Sequence, residues 1–401
     1  MYPGSGASHL QTSPTTRTLT FTCSAIVSFA YINRIKMSPS IMRCVLRGAS
    51  LLAGLASLSV AAPSPAPGKP SQPLSFWPPA AAKALTKMAR THANSGAFAV
   101  FDMDNTAYKN DLEESLLPFL EARGIITRET LDPSLHLIPF KDTDDYQETL
   151  FSYYYRLCDI DDLICYPWVA QVFSGLTLRE LKGHVDDLMD YNGTISSTYY
   201  DGDDIVPIVV SKPQPFRAQQ QLFGYLQDHG IAVYIVSAAA EELVRMVASD
   251  PRYGYGVPPE QVIGVSMLLS NESSPSAPTT ARKQIAEGAY NPSSNMDLRL
   301  TPDLWTPATW MAGKSAAIRT YIDQWRKPVL VGGDTPDSDG YMFFQDADVE
   351  NGGVRLFVNR KASSMEELQG MIRDNVRGQK AAGLKPTAHK NWVYVKPEEI
   401  L

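Results

Sequence analysis

From about residue 205 onward, short apolar runs alternate with stretches of helical spacing, and few folds accommodate that alternation. "IAVYIVS" reads as a strand and "AEELVRMVAS" as a helix; "QVIGVSML" is the next strand, followed by a Ser/Pro/Thr-rich loop at 270–281. "GKSAAIRTYIDQW" reads as a helix, "PVLVGGD" as a strand and "VRLFVN" as another. Near the front of this pattern stands one more apolar run, "AFAVFDM", with Gly96 before it and polar residues after it. Apolar strands joined by helices imply a parallel sheet covered on both faces. In such sheets the chemistry gathers in a crevice beyond the carboxyl ends of the strands. Between residues 107 and 205 the chain is largely helical. "YQETLFSYYYRLC" and "TLRELKGHVDDLMDYNG" carry helical spacing, and the second opens on a capping box, Thr177 with Glu180.

The ends of three strands carry reactive side chains. "AVFDMDNT" ends in Asp102 and Asp104, with Thr106 beyond; "VYIVSAA" ends in Ser237; "VLVGGDTPDSD" ends in Asp334, with Asp337 and Asp339 following. Lys314 opens the helix that precedes the last of these strands. Carboxylates crowded into one crevice repel unless a cation sits among them, and a hard divalent ion such as Mg²⁺ takes oxygen ligands. Asp102, Asp104, Asp334 and either Asp337 or Asp339, with Asp339 preferred, are the expected ligands. The chemistry that suits this set is phosphoryl transfer. Asp102 attacks phosphorus to form an aspartyl-phosphate, and Asp104 protonates the leaving group and then activates water. Thr106 and Ser237 offer donors to phosphoryl oxygens, and Lys314 offsets their charge.

Other chemistries find no support. "AGKS" at 312–315 has Ala308 where a phosphate-binding loop needs Gly, no G-x-S-x-G elbow occurs, and the histidines show no zinc spacing. A net charge of −7 without a dense Lys/Arg stripe argues against a nucleic-acid partner. The substrate is expected to be a small molecule. Oligomeric state is not legible.

The N-terminus reads as targeting. Residues 37–62 pair Arg43 and Arg47 with the apolar "GASLLAGLASLSV" and the small residues Ser59, Ala61 and Ala62, the form of a secretory signal. Residues 1–36 lie upstream of the start-like Met37 and read as a gene-model extension, and 63–74 as a Pro-rich linker. Secretion is therefore expected, with no stable membrane span once the signal is cut. Of four cysteines only Cys158 and Cys165 remain after that cut, which suggests a disulfide. The sequons at Asn192 and Asn271 fit the same route.

"DMDNT", Ser237, Lys314 and "GDTPDSD" resemble, in that order, the four motifs of the haloacid-dehalogenase superfamily. The resemblance implies an α/β fold: a Rossmann-like parallel sheet core, here 75–106 and 206–401, with a mainly helical cap inserted at 107–205. The D-x-D form implies a phosphatase or mutase. "DMDNTAYKNDLEESLLPFLE", "CYPWVAQVFSG" and "GDTPDSDGYM" are similar to the bacterial phosphorylcholine phosphatases within that superfamily. The implied substrate is phosphocholine, with phosphoethanolamine or other small phosphomonoesters as alternatives. The setting departs from that family, because sequons and a eukaryotic-type signal replace a bacterial export context. A quaternary ammonium favours carboxylates and aromatic faces. Glu113-Glu114, "YYYR" and "CYPW" supply both, and Glu114, Tyr155 and Trp168 are the expected substrate contacts. A broad acid or phosphoserine phosphatase, and a non-catalytic phosphocholine-binding protein, are the competing readings.

Overall fold

The computed structural model describes residues 74–271 and 274–401. The expected extension, signal and all of the linker except Leu74 lie outside the described residues, as does part of the Asn271 sequon.

After helix α1 (Pro79–Thr91), strand β1 (Phe98–Phe101) runs through the middle of the molecule with all four side chains buried. Its side chains alternate between two cores. Ala99 and Phe101 join the larger cluster with Leu85, Met88 and Phe223, whereas Phe98 and Val100 face Val236, Ile318, Phe343 and Phe357. A strand buried on both faces reads as a continuous apolar run, as this one does.

The chain leaves the core through β2 (Tyr108–Lys109) and returns through β5 (Gln214–Pro215), and the two pair antiparallel. Between them lie α2 (Leu112–Glu121), α3 (Leu150–Ile160), α4 (Asp162–Gln171), α5 (Leu178–Asp190) and a hairpin of β3 (Ile195–Asp201) and β4 (Asp204–Val210). The predicted capping box at Thr177 and Glu180 forms at the start of α5. The hairpin was not foreseen, and β4 runs past residue 205, where the helical insert was expected to end. Cys158 and Cys165 form a disulfide that ties the last turn of α3 to the first turn of α4, with Cα atoms 5.0 Å apart. Asp161 ends α3 and caps α4 through its own carboxylate.

Beyond α6 (Arg217–Asp228) come β6 (Ala232–Ala240), α7 (Glu241–Ala248) and β7 (Val262–Val265). The run "QVIGVSML" is two strands rather than one. The chain breaks at Ser266, and β8 (Met267–Asn271) enters a separate antiparallel sheet with β9 (Ser274–Thr279) and β10 (Arg299–Leu304). The segment expected as a loop at 270–281 therefore contains β9, an edge strand, where proline is tolerated. Helices α8 (Ala281–Ala286) and α9 (Pro292–Asn295) precede β10; α10 (Ala312–Ala317), β11 (Leu330–Gly333), α11 (Pro336–Tyr341), β12 (Val354–Val358), α12 (Ala362–Ala381) and β13 (Trp392–Val395) complete the chain. The last strand escaped the sequence reading.

The central sheet is six-stranded and parallel, in the order β13-β12-β11-β1-β6-β7. The chain builds outward from β1 in one direction through β6 and β7, then in the other through β11, β12 and β13. Strand order reverses at β1, so the crevice beyond its carboxyl end is where a doubly wound sheet holds a ligand.

Candidate active site

Asp102 leaves β1 with its N–H donated to Gly332 O at 3.0 Å, which continues the ladder to β11 for one more residue. A turn follows, in which Thr106 and Ala107 N–H groups return to Met103 O. It holds Asn105 at φ 55°, a left-handed conformation that asparagine tolerates. The turn brings Asp104 back toward the crevice, where its Oδ1 accepts from Tyr108 Oη at 2.7 Å and Leu112 N at 2.8 Å.

Lys314 lies beneath Asp102 and is fully buried. Its Nζ sits 2.8 Å from Asp102 Oδ1 and 2.6 Å from Asp339 Oδ1. The turn that delivers it is tight: a Cβ on Gly313 would fall 1.7 Å from Ala308 O, so only glycine fits there. Asp339, in the first turn of α11, uses its other oxygen to accept from Asp334 N at 2.9 Å and Thr335 N at 3.1 Å. Asp334 Oδ1 accepts from Thr106 Oγ1 at 3.3 Å, and its Oδ2 accepts from Thr335 Oγ1 at 3.0 Å and from Arg360 Nε. Ser237 is buried near the end of β6, where its Oγ accepts from Ala239 N at 3.2 Å.

Five groups assembled from distant sequence, Asp102, Asp104, Ser237, Asp334 and Arg360, line one crevice of about 160 Å³. Larger hollows of about 750 and 660 Å³ lie elsewhere and contain none of these carboxylates. Above the floor the crevice is walled by Asp111, Glu113, Glu114, Tyr154 and Tyr166. Asp111 is the N-cap of α2, accepting from Glu114 N at 2.9 Å, and Glu113 accepts from Ala240 N at 2.7 Å, which ties α2 to the end of β6.

Burial dominates the electrostatics. It pushes Asp102 well above the usual carboxylate range, against the pull of Lys314. Burial, with the charge of Asp111 added, raises Asp104 to about 8 in spite of its bonds from Leu112 and Tyr108. Burial and the neighbouring Glu114 raise Asp111 to about 7. Glu113, Glu114 and Asp334 are raised by burial too, the last two against Arg360. For Lys314 burial acts downward, but Asp102 and Asp339 outweigh it and hold the ammonium firmly charged.

Asp102, Asp334 and Asp339 each place a carboxylate oxygen within 4.8 Å of the others, all three buried. An all-oxygen donor set of this kind fits a hard divalent cation. Asp102 and Asp334 line the crevice and Asp339 does not, so those two are the better-placed direct ligands. Two other expected ligands stay outside this group. Asp104 accepts from Tyr108 and Leu112 through Oδ1, and neither it nor Asp337 is among the three.

The expected aromatic contacts need correction. Trp168 is fully buried, donates its indole N–H to Leu135 O at 2.9 Å and stacks behind Tyr154. Tyr155 packs on Phe151 and Tyr199 and does not line the crevice. The neighbours Tyr154 and Tyr166 take those places, one residue back in α3 and two residues back in α4. Glu114 lines the crevice as expected. Thr106 is fully buried behind Asp334 and acts on that carboxylate rather than at the crevice surface. Arg360 was missed because nothing in "VRLFVNRK" marks the arginine except its place just beyond a strand.

No family model matches the chain. It is 61% identical over 327 residues to the phosphorylcholine phosphatase of Pseudomonas aeruginosa, covering 82% of this chain and 93% of that protein. Its fold is similar to the crystal structure of a conserved, functionally unknown protein from Anaerococcus prevotii, with a TM-score of 0.51 at 18% identity over 74% of this chain and 90% of that one.

Proposed function

This chain belongs to the phosphorylcholine phosphatase family and is a phosphoric monoester hydrolase, and we propose from that membership that it hydrolyses phosphocholine to choline and phosphate. The observation that carries the substrate is the wall of the crevice. Asp111, Glu113 and Glu114 stand with Tyr154 and Tyr166 beyond the nucleophile, where the alcohol half of the ester must lie. A quaternary ammonium has no hydrogen to donate, and carboxylates with aromatic faces are what bind it.

Asp102 attacks phosphorus, a P–O bond forms to its carboxylate, and the bond to the choline oxygen breaks. Asp104 gives that oxygen its proton. With a pKa raised to about 8, Asp104 holds a proton at neutral pH, as a general acid must. Water then attacks the aspartyl-phosphate, Asp104 takes its proton, and phosphate and free Asp102 result. Lys314, fixed between Asp102 and Asp339, favours the ionised nucleophile from beneath it. Mg²⁺ held by Asp102 and Asp334, with Asp339 beside them, would neutralise the carboxylates and polarise the phosphoryl oxygens. Secretion is part of the same reading. It is supported by the signal-like segment at 37–62, by the disulfide and by the exposed Asn192 sequon. Among the described residues no helix is long and apolar enough to cross a membrane.

The test is phosphate release from phosphocholine, phosphoethanolamine and phosphoserine, with Mg²⁺ and with chelator. A kcat/KM highest for phosphocholine and lost in chelator supports the proposal. Equal rates on all three would leave a broad phosphomonoesterase, and full activity in chelator would remove the metal.

A further inference from the structure

The crevice poses a charge problem for its own substrate. Its lining carries the carboxylates of Asp102, Asp104, Asp111, Glu113, Glu114 and Asp334, yet a phosphomonoester brings a dianion into it. Lys314 does not resolve this at the surface. It is fully buried beneath Asp102, is absent from the lining, and is already shared between two carboxylates. Among the described residues that line the crevice, Arg360 is the one cation.

Arg360 arrives there for a topological reason. It stands two residues past the end of β12, next but one to β1 in the sheet, so the edge that supplies Asp102, Ser237 and Asp334 also supplies it. Its guanidinium is held on one side. Nε donates to Asp334 Oδ2, and Nη2 donates to Thr335 Oγ1 at 3.2 Å. Among the described residues Nη1 has no hydrogen-bond acceptor, and the side chain is 28% exposed beside the crevice. A planar guanidinium anchored along one edge keeps donors in fixed directions along the other, the arrangement that suits phosphoryl oxygens.

We propose that Arg360 is a phosphoryl-binding residue: anchored on Asp334 and Thr335, it donates through its free edge to the oxygens of the phosphoryl group and of the phosphate product. This deepens the phosphomonoesterase reading of the crevice and does not depend on choline being the alcohol. It also divides the labour of the two cations, with Lys314 serving the nucleophile from below and Arg360 receiving the phosphoryl group from the open side.

The test is calorimetric titration of inorganic phosphate into the Mg²⁺-loaded protein, comparing wild type with Arg360→Gln and Arg360→Lys. Choline and Mg²⁺ are titrated separately, and each variant's melting temperature is recorded. Loss of a charge-assisted pair predicts that phosphate affinity falls about tenfold or more in Arg360→Gln and is partly restored in Arg360→Lys. Choline affinity should not fall, and Mg²⁺ should bind at least as tightly, because a positive charge beside Asp334 has gone. In steady state, KM should rise by the same factor for phosphocholine and p-nitrophenyl phosphate, which share only the phosphoryl group. Unchanged phosphate affinity in Arg360→Gln overturns the proposal. So does a matching loss of Mg²⁺ affinity, which would make Arg360 a support for Asp334 and nothing more. Absence of phosphate binding by the wild type would instead count against the crevice as the phosphoryl site.

Discussion

Gly333 is a position where one added methyl group would strike the carboxylate cluster directly. It is the last residue of β11, and a Cβ built on it falls 2.4 Å from Asp339 Oδ2 and 2.6 Å from Asp339 Cγ. No real Cβ sits so close, so Gly333→Ala must move the carboxylate. Asp339 cannot retreat cheaply, because it is fully buried and bonded to Lys314 at 2.6 Å, Asp334 N at 2.9 Å and Thr335 N at 3.1 Å. Overpacking of this kind costs ~1–3 kcal/mol of stability, a fall of a few degrees in melting temperature for a chain of this size. The larger loss is catalytic. Displacing Asp339 frees Lys314 from one of its two anchors and turns the Asp334 backbone, so the charge aimed at the reacting group is misplaced. Losing one preorganised electrostatic contact typically lowers kcat ~10²–10³-fold. The assay is kcat on p-nitrophenyl phosphate at saturating Mg²⁺, with a thermal melt on the same sample. A folded Gly333→Ala protein with kcat within about twofold of wild type would refute the reasoning, because preorganisation would then contribute little.

Three further outcomes are expected. Asp102→Asn should keep the wild-type melting profile and lose turnover, because an amide forms no aspartyl-phosphate; near-normal rates would exclude the covalent route. Glu114→Ala should raise KM for phosphocholine and leave hydrolysis of p-nitrophenyl phosphate nearly unchanged, since that leaving group carries no cation; equal losses on both would make Glu114 a support of α2. Asp111, raised to about 7, is neutral below that pH and charged above it. KM for phosphocholine relative to p-nitrophenyl phosphate should therefore rise as pH falls through about 7, and the trend should flatten in Asp111→Asn; a ratio independent of pH would remove Asp111 from cation binding.

The readable part of this site was its strand ends. Asp102, Asp104, Ser237 and Asp334 follow apolar runs too short and too β-branched to be helices, and the strand-end rule then places them together. What stayed illegible depended on rotation about an axis. "YYYR" offers three consecutive tyrosines about 100° apart on one helix, and periodicity does not say which one meets the crevice. Packing decides it. Tyr153 packs on Phe140 and Trp168, Tyr155 on Phe151 and Tyr199, and Tyr154 is left to line the crevice. The strand break at Ser266 was hidden for a similar reason. Val262–Val265 and Met267–Leu269 read as one apolar stretch around Ser266, and only the second sheet explains why the chain must turn between them. β13 escaped because "WVYV" is four residues long and follows a long polar helix.

The Cys158–Cys165 bond bears on how the binding site can yield. Tyr154 stands one turn before the first of these cysteines and Tyr166 immediately after the second. The two rings therefore stand just outside the ends of a short covalent loop that ties their helices together. If an ammonium group rests between the two rings, as proposed, one helix end cannot swing away from it without the other, because the disulfide joins them. For the proposed alkylammonium esters, the width of that gap would then be set by two helices acting as one unit rather than by either alone.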